Sequence, residues 1–258
     1  MFTTTTGTAF ENTKLSFRDW IMAIYLMVAA SNGHSSYSIA RHVGVCQKTA
    51  YFMMCNIRLM LEQDFDLVLL GIVEGDEAFF GGLNKNRHVQ KKFKGITGRA
   101  VVDKTAALCL TQRGGKKMVI VIPDTSAESI QAVIRKMVKP GTILMVDDWT
   151  GYDGLEPDYT VIKVKEKGKK GYYGDAYRNT NTAEGLWTFL KHMYRATYRK
   201  ISRRKLQSYI DEGMFRVNTI KDNWVRLIEA LKKAKVLKLL WKHHKRKDAK
   251  VPVPHLSW

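Results

Sequence analysis

Three acids stand where metal-dependent chemistry would need them. Asp76 lies in 72-IVEGDEAFFGG-82, at the end of the first apolar, β-prone run. Asp147 directly follows 142-TILMV-146. Glu184 opens the helical stretch 181-NTAEGLWTFLKHM-193, with Lys191 seven residues on. Substrates of open α/β sheets bind at the carboxyl ends of strands, which is where Asp76 and Asp147 are expected. Carboxylates from separate elements suit hard divalent cations. Two Mg²⁺ ions about 3.5–4 Å apart take several oxygen ligands and keep positions open for water and phosphate. Such a pair activates the attacking oxygen and stabilises the leaving one in an in-line phosphoryl transfer.

Each acid also has a plainer reading. An acid after a buried run is commonly the first polar residue of a loop, and Asp148, Asp124, Asp103, Glu74 and Glu77 compete for the same role. With Asn181 as N-cap, Glu184 would fall at the third helical position, where a glutamate reaches back to the N-cap amide. On a wheel at about 100° per residue, Leu186, Phe189, Leu190 and Met193 form one face. Glu184 and Lys191 point to the opposite face, within about 20° of each other. The helix can pack through its apolar stripe while presenting an acid and a base in line, as any amphipathic helix can.

The chain that must position these acids has 258 residues, 45% of them apolar, which is room for one large domain or two smaller ones. Its charge is unusual: 43 Lys and Arg against 24 Asp and Glu, a formal +19. That excess favours a polyanionic partner, because Lys and Arg release condensed counterions from nucleic acid phosphates. Ribosomal and membrane-surface proteins are basic too. Phosphate contacts are expected from the basic loop 84-NKNRHVQKKFK-94, with Arg87, Lys91 and Lys92. Cys46, Cys55 and Cys109 are too few and scattered for a disulfide framework or a structural zinc site, and fit a reducing compartment. The start, MFTTTTGTAF, has no leader pattern, and the longest apolar run, 20-WIMAIYLMVAA-30, is too short to span a bilayer. A soluble, intracellular chain is expected.

Three regions are expected. Residues 1–65 form a helical domain. Within it, 35-SSYSIARHVGVCQKTAYFMMCNIRLML-61 has helix-turn-helix rhythm: Ala40, Gly44 four on, then Ala50 and Met53. Cys46, Gln47, Lys48 and Thr49 would open the second helix, where base or phosphate contacts are usually made; a plain packing hairpin would show the same spacing. Residues 66–222 carry β-prone runs at 67–73, 100–111, 117–122, 142–146 and 159–164. The second and third join through 113-RGGKK-117, a hairpin turn. The capping-box pattern 125-TSAE-128 opens a helix through Ile130, Val133, Ile134 and Met137, and strand–helix–strand at this spacing implies a parallel crossover. Residues 223–258 form a basic C-terminal helix or tail, either a solvated helix or a backbone contact for nucleic acid.

Together these motifs resemble the DDE transposases of bacterial insertion sequences, in the group with an ISXO-like catalytic domain. The resemblance covers most of residues 3–220: TTGTAFENTKLSFRDW, the helix-turn-helix at 35–61, VEGDEAFFGG, MVDDWTGY, and NTNTAEGLWTFLK followed by ATYRKISRRKLQSYIDEGMFRVN. It implies an α/β, ribonuclease H-like mixed five-stranded sheet flanked by helices, preceded by an all-α helix-turn-helix domain. It implies that Asp76, Asp147 and Glu184 are the catalytic triad holding two Mg²⁺ or Mn²⁺ ions, and that Lys191 contacts DNA near the cut. Trp149 and Tyr152 fall in the motif beside the second acid, where a packing role is equally open. Relatives usually begin with a zinc ribbon whose paired cysteines are absent here, so no zinc is expected in this chain. The stretch 163-KVKEKGKKGYYGDAYRNTNT-182 is lysine-rich where relatives often carry histidines, so no catalytic histidine is assigned. The implied activity is cleavage at element ends and strand transfer into target DNA. The working form would be a dimer or larger on nucleoid DNA in the cytoplasm. The alternatives are a catalytically silent DNA-binding remnant or regulator, and a non-transposing nuclease.

Overall fold

The computed structural model describes residues 8–11, 13–82, 88–91, 104–164 and 177–234. The chain divides into two units, Met1–Asp64 with His192–Trp258, and Phe65–Lys191. The first unit begins with α1 (Phe17–Ala29), α2 (Ser36–Val43) and α3 (Gln47–Met60). Ser16 starts α1 with a reciprocal cap: its hydroxyl accepts from the Asp19 amide at 3.2 Å, and the Asp19 carboxylate accepts from the Ser16 amide at 3.1 Å. Gly44 ends α2 in the left-handed region, φ +79°, which turns the chain into α3. The two helices thus fall where the spacing of Ala40, Gly44, Ala50 and Met53 places them.

The second unit holds β1 (Ile72–Phe80), β2 (Thr105–Gln112), β3 (Lys117–Ile122), α4 (Ala127–Met137), β4 (Ile143–Val146), β5 (Thr160–Lys163) and α5 (Asn181–His192). The strands lie in the order β3-β2-β1-β4-β5. β2 is antiparallel to both β1 and β3, while β4 is parallel to both β1 and β5. This is a mixed five-stranded sheet, as expected. α4 carries the crossover to the parallel half and buries Ile130, Val133, Ile134 and Met137 against Val73, Leu108, Ile120 and Leu144. Its cap is Ser126, one residue later than expected, whose hydroxyl accepts from the Ser129 amide at 3.3 Å.

β1 differs most from expectation. The first strand was expected over 67–73, with Asp76 at its end. Its first residues make only an isolated bridge, Leu69 to Val138, Gly71 breaks the run at φ +79°, and Ile72 and Val73 alone enter the strand. The strand lies further on, and Asp76 is in its middle. Its acids hide it, because Glu74, Asp76 and Glu77 do not read as a buried strand. The site is open for another reason. β4 stops at Val146, so β1 loses its parallel neighbour beyond Glu74, which pairs with Met145. Continuing that register sets Asp147 level with Asp76.

Two further helices, α6 (Leu206–Asn218) and α7 (Asn223–Lys232), complete the first unit. Phe215, Leu227 and Ala230 share one core with Trp20, Ile24, Met27, Met53 and Ile57. The sequence boundaries put α6 with the sheet and α7 in a separate basic tail; their apolar stripes instead meet α1 and α3. Periodicity reveals such a stripe but does not name its partner.

Candidate metal centre

Asp76, Glu77 and Asp147 each offer a carboxylate oxygen within 4.8 Å of the others. Asp76 and Glu77 are half-buried and Asp147 is exposed. Neighbours on a strand leave on opposite faces. These two still converge on Asp147, level with the end of β4. Local bonds orient them. The Glu77 amide donates to Asp76 Oδ1 at 2.9 Å, and the Trp149 amide donates to Asp147 Oδ1 at 3.1 Å. Tyr152, fully buried, donates its hydroxyl to the Glu77 carboxylate. Trp149 is pinned by its own indole, which donates to the Thr125 carbonyl at 3.1 Å.

The electrostatics are those of like charges crowded out of water. Burial, then the nearby Asp147 and Glu184 carboxylates, push the Asp76 carboxyl up to about 6. Burial, then Asp147 and Asp76, push Glu77 to about 7. The Trp187 indole N–H sits close enough to Asp76 to favour its charged form, yet makes no regular hydrogen bond and is buried. Among the described residues neither Asp76 nor Glu77 has an ion-pair partner. A site of hard oxygen donors under mutual repulsion fits a divalent cation such as Mg²⁺ or Mn²⁺.

Glu184 stands near Asp76 but outside that closest group, on the first turn of α5. It does not fill the capping place expected of it. The Glu184 amide itself donates to the Thr180 carbonyl at 3.1 Å, so the helix starts one residue earlier than expected. The Asn181 amide donates to Asn179 Oδ1 at 3.3 Å, and the amides of Thr182 and Ala183 donate to Glu74 Oε2 at 2.9 and 3.1 Å. The first-turn donors are therefore met by other groups. Nor does Glu184 face directly away from the core. Trp187, 4% exposed, widens the buried stripe of Ala183, Leu186 and Leu190 toward it, leaving Glu184 half-buried on the flank. Trp187 also meets Phe80 of β1, with ring centroids 6.0 Å apart, so α5 lies along the β1 face that carries Glu74 and Asp76.

The cluster of Asp76, Glu77 and Asp147 includes none of the other expected contact residues. Lys191 is half-buried, at the end of α5. At the start of α3, Lys48 is exposed, Gln47 Nε2 donates to Ser36 Oγ at 2.8 Å, and Thr49 Oγ1 pairs with Cys46 Sγ at 3.2 Å. Arg87 and Lys92 lie outside the described residues, and Lys91 ends a short 3₁₀ turn, Val89–Lys91. Residues 235–247 of the basic tail also lie outside them. Sequence reasoning passed over Trp187 and Arg113, and held Glu74 and Glu77 only as competitors. The available signal was an acid, Glu74, inside an apolar run, since a buried carboxylate must have partners. Among the described residues no helix is long and apolar enough to cross a membrane.

Comparison with known proteins adds three findings. The ISXO2-like transposase domain matches residues 68–218. An uncharacterized protein in transposable element ISH50 of Halobacterium salinarum is 23% identical over 216 residues, covering 81% of this chain and 72% of that protein. A chain in the crystal structure of a pre-cleavage Mos1 transpososome aligns over 88% of this chain and 82% of its own, at 12% identity and a TM-score of 0.29.

Proposed function

The chain belongs to the ISXO2-like transposase domain family, and from that premise we propose that it cuts DNA at the ends of its element and joins the freed 3′-hydroxyls to target DNA. Asp76, Asp147 and Glu184 would hold two divalent ions, Mg²⁺ or Mn²⁺. Bound there, such ions polarise the phosphoryl oxygens and ready water or a 3′-hydroxyl for in-line attack.

The chain's own residues would do the rest. Asp147, oriented by the Trp149 amide, faces solvent where a phosphodiester can enter. Asp76 gives up its proton on loading, which its raised value makes a step that depends on pH near neutrality. Glu77, held by Tyr152, is partly protonated at neutral pH and so sits beside Asp76 without full repulsion. Glu184 would turn its side chain inward from the flank of α5 to join them. Lys191, along the same helix, and the segment with Arg87, Lys91 and Lys92 would hold phosphates. Gln47, Lys48 and Thr49, opening the second helix of a helix-turn-helix, would contact the element end. Two ends must be cut, so at least two copies would assemble on DNA, acting on the nucleoid in the cytoplasm.

The observation that carries this reading is the meeting of Asp76 and Asp147 on neighbouring parallel elements of a ribonuclease H-like sheet, with Glu184 beside Asp76. The test is a labelled element end incubated with protein and Mg²⁺. Glu184→Gln is expected to abolish cleavage while retaining DNA in a gel shift. Cleavage at the wild-type rate by that variant would refute the triad. Binding without cleavage by the wild type would favour a silent regulator, and cleavage without joining a nuclease.

A further inference from the structure

Two residues from Asp76 lies a buried charge that the chemistry above does not use. Glu74 is fully buried, and both its oxygens are engaged. Oε1 accepts from Arg113 Nε at 2.7 Å and from the Thr182 hydroxyl at 3.1 Å. Oε2 accepts the Thr182 and Ala183 amides, the free donors at the positive end of α5. Arg113, in the β2–β3 turn, reaches the residues that lead into that helix. Its Nη1 donates to the Tyr177 carbonyl at 2.6 Å, and its Nη2 to the Asn179 carbonyl at 2.7 Å. Its own amide donates to the Ile72 carbonyl at 2.9 Å, which ties the turn back to β1. One ion pair thus joins strand, hairpin and helix start.

Filling space does not account for this pair, because apolar residues would do so without taking two charges out of water. Its placement does. Glu74 and Asp76 share one face of β1, about 7 Å apart along the strand. Glu184 follows Ala183 directly. The pair therefore grips β1 two residues before one ligand and α5 one residue before another. We propose that Glu74 and Arg113 are positioning residues, a clamp that sets where Glu184 stands relative to Asp76 and so sets the affinity of the site for divalent cations. The proposal rests on the two-ion reading above.

The test is Mn²⁺ titration of the DNA-free full chain by calorimetry, for the wild type, Glu74→Gln, Glu184→Gln and the double variant. Far-UV circular dichroism and gel shift check that each is folded. Glu74→Gln is expected to weaken Mn²⁺ binding by about tenfold or more, as loss of a residue that orients a metal ligand does. Adding Glu184→Gln to it should then cost less than about twofold further, because the two act through one ligand. Wild-type affinity in folded Glu74→Gln, or fully additive losses, would overturn the clamp while leaving the two-ion reading standing. Absence of Mn²⁺ binding by the wild type would overturn that reading and the clamp with it. Should Glu74→Gln not fold, Arg113→Lys carries the same test, since it keeps the charge but loses the fork onto Tyr177 and Asn179.

Discussion

Glu212 in the helical unit and Asp76 in the sheet unit are both acids taken out of water, and the fold treats them in opposite ways. Glu212 on α6 is surrounded by donors. Arg58 Nε donates to it at 2.7 Å, the Tyr198 hydroxyl at 2.6 Å, and Arg216 Nη2 as well. Arg216 also donates to the Met27 carbonyl of α1 at 2.8 Å, and the Arg58 guanidinium lies 3.7 Å from the Tyr209 ring centroid. Burial alone would raise Glu212, but Arg216 and Arg58 hold it below the ordinary carboxylate range. Asp76 has carboxylates for neighbours and is raised. A buried acid given cations in the fold is architecture. A buried acid given other acids suits a cation the fold does not supply. Glu74, paired with Arg113 on the same strand as Asp76, belongs to the first kind and sits within reach of the second.

Substitutions at both places should separate the two kinds. The largest effect is expected at the clustered acids and on activity. Asp147→Asn should slow Mg²⁺-dependent cleavage of a labelled DNA end more than about a thousandfold, roughly 4 kcal/mol of barrier, while unfolding stays near that of the wild type. At the paired acid the effect should fall on stability. Glu212→Gln leaves Arg58 and Arg216 without their anion and should cost about 3–5 kcal/mol in denaturant unfolding.

Asp76→Asn should do the reverse and stabilise the metal-free protein by about 3 kcal/mol at neutral pH. The sign follows from the folded value, about 6, lying above the ordinary 3.8. Between those two the folded state binds the proton more tightly, so stability falls as pH rises, and the full loss is present above the folded value. The gain from Asp76→Asn should accordingly vanish toward pH ~4, and saturating Mn²⁺ should reverse it by stabilising only the wild type. The smallest effect belongs to an exposed pair. Asp158→Asn, which breaks the 3.2 Å contact with Arg135, should change stability by no more than about 1 kcal/mol and lose even that in salt.

The sequence was most legible where its signals are local. Four of the five apolar runs hold a strand over most or part of their length, and the crossover helix, the hairpin and the turn at Gly44 lie where their residues put them. Asp147 lies directly after β4, as its place behind an apolar run predicts. Asp76 lies in the middle of its strand and not at its end, since the acids of β1 mask its burial. What escaped depends on partners far along the chain. The cap of α5 comes from Glu74, 108 residues before Thr182. Arg58 meets Glu212 across 154 residues. No local spacing encodes either pairing, and without the first the plain capping role for Glu184 could not be set aside.

Anomalous diffraction from crystals soaked in Mn²⁺ tests the central claim most directly. Manganese peaks coordinated by Asp76 and Asp147, with the Glu184 carboxylate drawn in from α5, are the predicted result. Peaks held by Glu77 in place of Glu184, or no manganese at these acids, would contradict it.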